Sequence, residues 1–371
     1  MSGHLEHLGG DRWKVRVYAG RGHDGRPHQR TRTFRAPNKR AAEKIKDRIA
    51  TQLRDELDTE KARQDTFAGL VPQWLDLCRS NRRSPSTLVS YERIANLIVK
   101  RWGTKRVDAL TVRDVDRWYG ELLKAGMTPA NIHAHHRVLR AMLRQAQKWQ
   151  MAGEPVTFSA SPPPVDAAEH RLPTSMAVAA VLASAPLEVR TALRLSAATG
   201  CRRGEVVGLQ WGDLDGRTLT VRRSLLDVKG NRGTPKTTKT KRVRQVRLDT
   251  ATVDLLAEWA VEVQRRSEMF GVSSPWVFPD FDRGGDRPRV PSWLSKRWDQ
   301  LRREHGIDCN LHALRHLHAT ELVGAGVPIT EVAGRLGHAK STTTLAIYAH
   351  ALPIEQGRSA EVAGELLGGG S

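Results

Sequence analysis

The residues of this 371-residue chain best equipped for chemistry lie toward its C-terminus. His312-Ala-Leu-Arg315-His316 is followed by Leu336-Gly337-His338, and Tyr348 stands ten positions beyond that last histidine. Well upstream, Thr199-Gly-Cys-Arg202-Arg-Gly-Glu205 adds a second arginine with a carboxylate three positions on. The set holds two guanidiniums, three imidazoles and a phenol, and it is short of carboxylates. A nuclease that works through bound Mg²⁺ needs clustered Asp and Glu to hold the metal. Cationic donors around a phenol point instead to metal-free attack on a phosphodiester, with the protein as nucleophile. A spacing of three places His312 and Arg315 on one helical face and lets Glu205 brace Arg202. His312 and His316, four apart, imitate a zinc pair. No Glu base stands beside the first of them, however, and Arg315 would repel a dication, so no metal site is expected.

The charge balance names the kind of partner. Sixty Lys and Arg against 40 Asp and Glu leave a formal charge of +20. Such an excess suits a polyanion, because each neutralised phosphate releases condensed counterions. A membrane is a poor alternative, since no apolar run approaches the roughly 20 residues that span a bilayer. The N-terminal Met-Ser-Gly-His-Leu-Glu-His has no basic region followed by an apolar core, so no secretory signal is expected. Cys78, Cys201 and Cys309 are too few and too scattered for a disulfide framework or a zinc cluster. The expectation is a cytoplasmic protein with reduced thiols. Neither a Walker A loop nor a dinucleotide fingerprint is present, so no cofactor is expected.

Three segments must position these residues. In the first, 1–64, Trp13-Lys-Val-Arg-Val-Tyr18 and Gln29-Arg-Thr-Arg-Thr-Phe34 alternate with period two around a Gly-rich turn, as hairpin strands do. A helix from about Ala41 to Glu56 follows, with Asn38 as its N-cap. One hairpin face is expected to carry Arg16, Arg30 and Arg32 or their neighbours; it is either a DNA-groove surface or an ordinary solvated face. The second segment, 65–153, is helical throughout. Ser84-Pro85 and Thr128-Pro129 open helices, and Thr111-Val-Arg-Asp114 has the capping-box pattern. On the last of these helices Arg137, Arg140, Arg144 and Lys148 share one face, read as a DNA-backbone contact. His133, His135 and His136 beside them read as surface or DNA-facing residues. Residues 154–171, with the run Pro162-Pro-Pro164, form an extended linker. The third segment, 172–371, is mainly helical with a β-rich middle: Thr218-Leu-Thr-Val221, a basic loop, then Arg244-Gln-Val-Arg-Leu248. The fold class is multidomain and mainly α, with small antiparallel sheets.

Taken together, Thr199-Gly-Cys-Arg202-Arg-Gly-Glu205, His312-x-x-Arg315-His316, Leu336-Gly-His338 and Thr344-Leu-Ala-Ile-Tyr348 closely resemble the signature boxes of the tyrosine recombinases, the phage-integrase family, in order and spacing. The first segment is similar to that family's arm-type DNA-binding domain and the second to its core-binding domain. The resemblance implies that Tyr348 attacks the scissile phosphate, leaving a 3′-phosphotyrosyl link and a free 5′-hydroxyl. It implies that Arg202 and Arg315 clamp the non-bridging oxygens, His312 acts as acid and base, and His338 donates a hydrogen bond. Glu205 and His316 take supporting roles. The leaving-group lysine falls on Lys239 by its register to the following strand, with Lys236 the alternative. Cys201 stands where the family commonly has Leu, and is expected to pack as a core thiol. Implied partners are double-stranded DNA with core-type and arm-type sites and a homotetramer in the synaptic complex. A directionality factor and a DNA-bending protein are candidate accessories. The implied activity is site-specific integration, and excision, of a mobile element.

Overall fold

The computed structural model describes residues 3–21, 27–165, 172–228, 233–235, 243–338 and 341–348. Two compact units divide the chain, Met1–Ala167 and Ala168–Ser371. Among the described residues no helix is long and apolar enough to cross a membrane.

The first unit opens with a three-stranded antiparallel sheet of β1 (His4–Gly9), β2 (Arg12–Arg21) and β3 (Pro27–Arg35). Strand β1 adds to the two-stranded hairpin expected from the alternation. Val15 and Val17 point to one face and are buried against Ile49, Ala50, Leu53 and Leu57 of α1 (Lys39–Gln64). Four helices follow: α2 (Phe67–Ser80), α3 (Pro85–Trp102), α4 (Val112–Lys124) and α5 (Pro129–Lys148). Their starts follow local chemistry. Ser84 and Thr128 cap α3 and α5, each with proline in the first turn, and the Thr111–Asp114 capping box opens α4. Phe67, Leu70, Trp74, Ile98, Trp118, Leu139 and Met142 fill the core between them.

The proline-rich segment, expected as an extended linker, is anchored over its first part. Through residue 165 it runs along the helices: Val156–Phe158 forms a 3₁₀ turn and Ala160 is buried. The Ser161 N–H donates to Asp116 Oδ1 (3.0 Å), and the Pro163 carbonyl lies 2.9 Å from His133 Nε2. Prolines leave few amide donors to satisfy, so two such bonds and an apolar seat suffice to fix it.

The second unit carries α6 (Ser175–Ser184), α7 (Leu187–Thr199) and the short α8 (Arg203–Val206). An antiparallel sheet follows in the order β4 (Leu214–Asp215), β5 (Thr218–Val221), β6 (Arg244–Arg247). Then come α9 (Thr250–Phe270), α10 (Pro291–Glu304), α11 (His312–Gly324), α12 (Ile329–Leu336) and α13 (Ser341–Tyr348). Trp259 and Trp298 are fully buried, and each donates its indole N–H to a carbonyl, of Val277 (2.7 Å) and Cys309 (3.1 Å). The protein is thus mainly helical, with one small antiparallel sheet among the described residues of each unit.

Candidate active site

Two helix ends build the cradle of the second arginine. Helix α7 stops at Gly200, whose φ of +65° is left-handed. A Cβ there would stand 2.7 Å from Leu336 Cδ2 and 3.0 Å from the His318 ring, so only glycine fits. The Gly200 carbonyl accepts from Arg315 Nη1 at 2.5 Å, and the Leu336 carbonyl at the end of α12 accepts from Nη2 at 2.7 Å. Arg315 therefore satisfies carbonyls that two helices leave without partners. It is 3 % exposed, and its hydrogen bonds go to carbonyls rather than to a carboxylate. Burial, then the neighbouring charge of Arg202, pushes its pKa down to about 10.

Arg202 sits one residue before α8, and its Nη1 donates to Glu205 Oε1 at 3.1 Å while its backbone N–H donates to Oε2 at 2.9 Å. Glu205 is buried and also receives Arg244, through Nη2 at 2.6 Å and Nη1 at 3.2 Å. Burial alone would raise the Glu205 carboxyl, but the bonds from Arg244 and the charge of Arg202 outweigh it and hold it below its usual value. Arg244 further donates Nε to the Arg335 carbonyl at 2.7 Å and approaches Cys201 Sγ at 3.5 Å. Cys201 is buried, and burial raises its thiol pKa. Sequence reading treated Arg244 only as part of a register. The signal was there: residues 244, 246 and 248 share one face of a strand, Val246 and Leu248 are core, and a charge in that row needs a buried counter-charge.

His312 opens α11, its backbone N–H held by Asn310 Oδ1 at 2.9 Å. Its ring stands edge-on to His316, centroids 4.9 Å apart, and it lines an open cleft of about 590 Å³ with Arg202, Arg203, Asn310 and Arg315. His338 follows the left-handed Gly337, with Nδ1 2.7 Å from Thr344 Oγ1. Both imidazoles are lowered to about 4, by desolvation first and then by the surrounding cationic groups, Arg315 and Arg202 among them. At neutral pH each is uncharged.

Tyr348 closes α13 and is 2 % exposed, packed with Ala319, Val323, Val332 and Leu336. Its hydroxyl lies 2.8 Å from His316 Nδ1. Burial raises the phenol pKa, with the Arg315 charge pulling the other way. The structure thus gathers Arg202, Glu205, His312, Arg315, His316, His338 and Tyr348 around one end of the second unit. Lys239 and Lys236 lie outside the described residues.

The basic surfaces of the first unit differ from expectation. Arg30 and Arg32 pair across the sheet with Val17 and Val15, so they share the α1 face, where they bind Glu60 and Glu56 (both 2.7 Å). Arg16 pairs with Thr31 on the opposite, open face and lies 3.7 Å from Glu6. The three arginines therefore do not share a face: strand register separates them. The same register places Arg12, Lys14 and Arg35 on the open face with Arg16. On α5, Arg137, Arg144 and Lys148 are exposed and Arg140 is half-buried. The Arg140 and Arg144 guanidiniums lie over the Phe158 ring, 4.4 and 5.1 Å from its centroid. His135 and His136 are not surface residues. His136 Nδ1 meets the Tyr119 hydroxyl at 2.8 Å, and His135 Nδ1 meets the Asn131 carbonyl at 2.7 Å beside Trp118. Helix α5 is buried on a wider arc than its apolar stripe suggested, and local acceptors let histidines sit there.

The phage integrase family model matches residues 169–354. The XerC-like tyrosine recombinase of Caldanaerobacter subterraneus is 25% identical over 96% of this chain and 97% of its own length. The ICEBs1 integrase of Bacillus subtilis is 22% identical over 91% and 93%. Among solved structures, the Tn1549 transposon integrase in complex with a circular intermediate DNA superposes with a TM-score of 0.69 at 19% identity, covering 80% of this chain and 99% of that one. A lambda integrase tetramer bound to a Holliday junction gives 0.60 at 15% identity, over 91% and 96%. The chain belongs to the phage integrase family and is a site-specific recombinase of the tyrosine type.

Proposed function

We propose that this recombinase cuts and rejoins DNA at the attachment sites of a mobile element through a 3′-phosphotyrosyl intermediate, integrating the element and excising it. Tyr348 is the nucleophile. Arg202 and Arg315 hold the two non-bridging oxygens, where planar guanidinium forks match a pentavalent phosphorus that gains negative charge. Lys239 protonates the leaving 5′-oxygen. His312 and His338 bond the phosphate oxygens; its charge offsets the arginines and raises both imidazoles from about 4 toward the range in which they donate protons. The bond energy is kept in the phosphotyrosine, so rejoining needs neither ATP nor metal. Four protomers on two duplexes complete the exchange, with the α5 face on core-type DNA and the open sheet face on arm-type DNA.

The observation that carries this reading is Arg315: a nearly buried cation bonded to carbonyls, beside a second arginine, is suited to bind an anion. The test is a suicide duplex nicked beside the scissile phosphate of the element's attachment site, incubated in EDTA. Wild type is expected to leave a denaturation-resistant protein–DNA adduct and Tyr348→Phe none. Binding of that duplex without an adduct would make the chain a catalytically silent DNA binder.

A further inference from the structure

We propose that His316 is the base that takes the proton from Tyr348 as the phenol attacks phosphorus. The inference rests on the recombinase chemistry above and moves the base of the cleavage step from His312, where the resemblance put it, to His316: a phenol with a pKa near 10 is a weak nucleophile at pH 7 until something accepts its proton.

The geometry singles out one acceptor among three imidazoles. His316 Nδ1 lies 2.8 Å from the Tyr348 hydroxyl, and the two rings pack with centroids 5.7 Å apart. Accepting there puts the imidazole proton on Nε2. His338 is occupied differently, with Nδ1 at Thr344 Oγ1. His312 faces the cleft and meets His316 only ring edge to ring face. Tyr348 is 2 % exposed, so bulk water is a poor competitor for its proton. Burial raises the phenol, which makes a base already in contact the more necessary.

Among the described residues, the charged and titratable groups gathered about this contact are His312 and Arg315 on α11, Arg202 before α8, His338 between α12 and α13, and Tyr348 on α13. Glu205 and Arg244 stand behind the arginines. The step balances as follows. The Tyr348 Oη–phosphorus bond forms and the phosphorus–O5′ bond breaks. The phenolic proton moves to His316 Nδ1, and the 5′-oxygen takes a proton from Lys239 and departs as a hydroxyl. In rejoining, the 5′-hydroxyl gives its proton back to Lys239 as its oxygen attacks phosphorus, the Oη–phosphorus bond breaks, and His316 returns its proton to Tyr348.

The test is single-turnover adduct formation on the nicked duplex as a function of pH, in the full chain. His316→Asn keeps a polar group near the Nδ1 position but takes up no proton. Its rate is expected to fall about 100-fold or more at pH 7, and to rise with pH in proportion to the tyrosinate fraction. A ring-fluorinated tyrosine at 348, whose phenol ionises more readily, is expected to recover much of that loss while changing the parent chain little. A pH profile of unchanged shape in His316→Asn, at whatever rate, overturns the proposal, because a residue that only positions Tyr348 lowers the rate without altering the profile. Equal effects of fluorination in both backgrounds overturn it too. Duplex affinity and thermal melting confirm that the variant is folded, and His316→Gln carries the same comparison should Asn not fold. Failure of the parent chain to form any adduct would strike the recombinase chemistry itself.

Discussion

Among the described residues of the second unit two arginines are buried, and they are held in opposite ways. Arg289 is 6 % exposed; its guanidinium binds Glu188 at 2.8 Å and both Asp280 and Asp282 at 2.5 Å, with Trp293 against its face. Burial works against that charge, but the carboxylates outweigh it and raise the pKa. Arg315 is as deeply buried, yet it rests on two carbonyls and its pKa is lowered. The first charge is already neutralised and serves the fold. The second bonds two carbonyls and no described carboxylate, which on the proposed chemistry leaves its charge to the DNA phosphate. Burial of a cation therefore says little about its role until its partners are counted.

Substitution at the two sites should separate these roles most sharply. Arg315→Ala is expected to cut single-turnover cleavage by about 10²–10³-fold or more, as loss of an oxyanion donor does, while urea melts move by less than about 2 kcal/mol. Arg289→Ala should do the reverse: about 3–5 kcal/mol of stability is lost because three carboxylates are left around an empty site, and folded molecules cleave as before. Comparable losses of cleavage from both would erase the distinction.

Arg244 tests an intermediate case, since its partner Glu205 also holds Arg202. Arg244→Met should cost about 3 kcal/mol, near the lower figure for a broken buried pair because Arg202 stays. Arg244→Met with Glu205→Gln should regain most of that stability without regaining cleavage. A double variant as unstable as the single one would show that Glu205 is not what makes Arg244 necessary.

Acid should destabilise the fold through the histidines around Arg315. His312, His318 and His338 all have folded pKa values lowered to about 4, so unfolding takes up protons between about pH 6.5 and 4. Stability from these groups is present above pH 6.5 and lost as pH falls through that window. Bound duplex, by raising the values for His312 and His338, should narrow it. Equilibrium melts of the chain with and without duplex measure both effects.

The smallest effect is expected on α5, where Arg137, Arg140, Arg144 and Lys148 make no ion pair with a described carboxylate, unlike Arg30 and Arg32 on their glutamates. Phe158→Ala removes the ring under Arg140 and Arg144 and should weaken core-site binding a few-fold, in line with about 0.5–1 kcal/mol for an exposed cation–π contact. Arg30→Ala should change DNA binding less than Arg137→Ala does.

Much of this was legible before any coordinates. The helix starts at Ser84, Thr111 and Thr128 were written in local chemistry that needs no tertiary context. The family was legible because its boxes stand in this chain in the expected order and spacing. What escaped were pairings made across distance. Strand β1 is an edge strand whose residues alternate only weakly, and its partner is what makes it a strand. Arg30 and Arg32 were read by periodicity within one strand, and cross-strand register then turned them toward α1. His135 and His136 looked too polar to bury, because Tyr119 and Trp118 belong to another helix.

The ends of the two arginine side chains also meet at one short stretch of backbone. Arg244 grips the carbonyl of Arg335 and Arg315 that of the next residue, Leu336, and the left-handed Gly337 follows. Two adjacent peptide groups ahead of the Tyr348 helix are thus held from separate elements, by β6 through Arg244 and by α11 through Arg315. On the proposed chemistry, an anion that shifts Arg315 also shifts backbone just ahead of the helix that carries Tyr348.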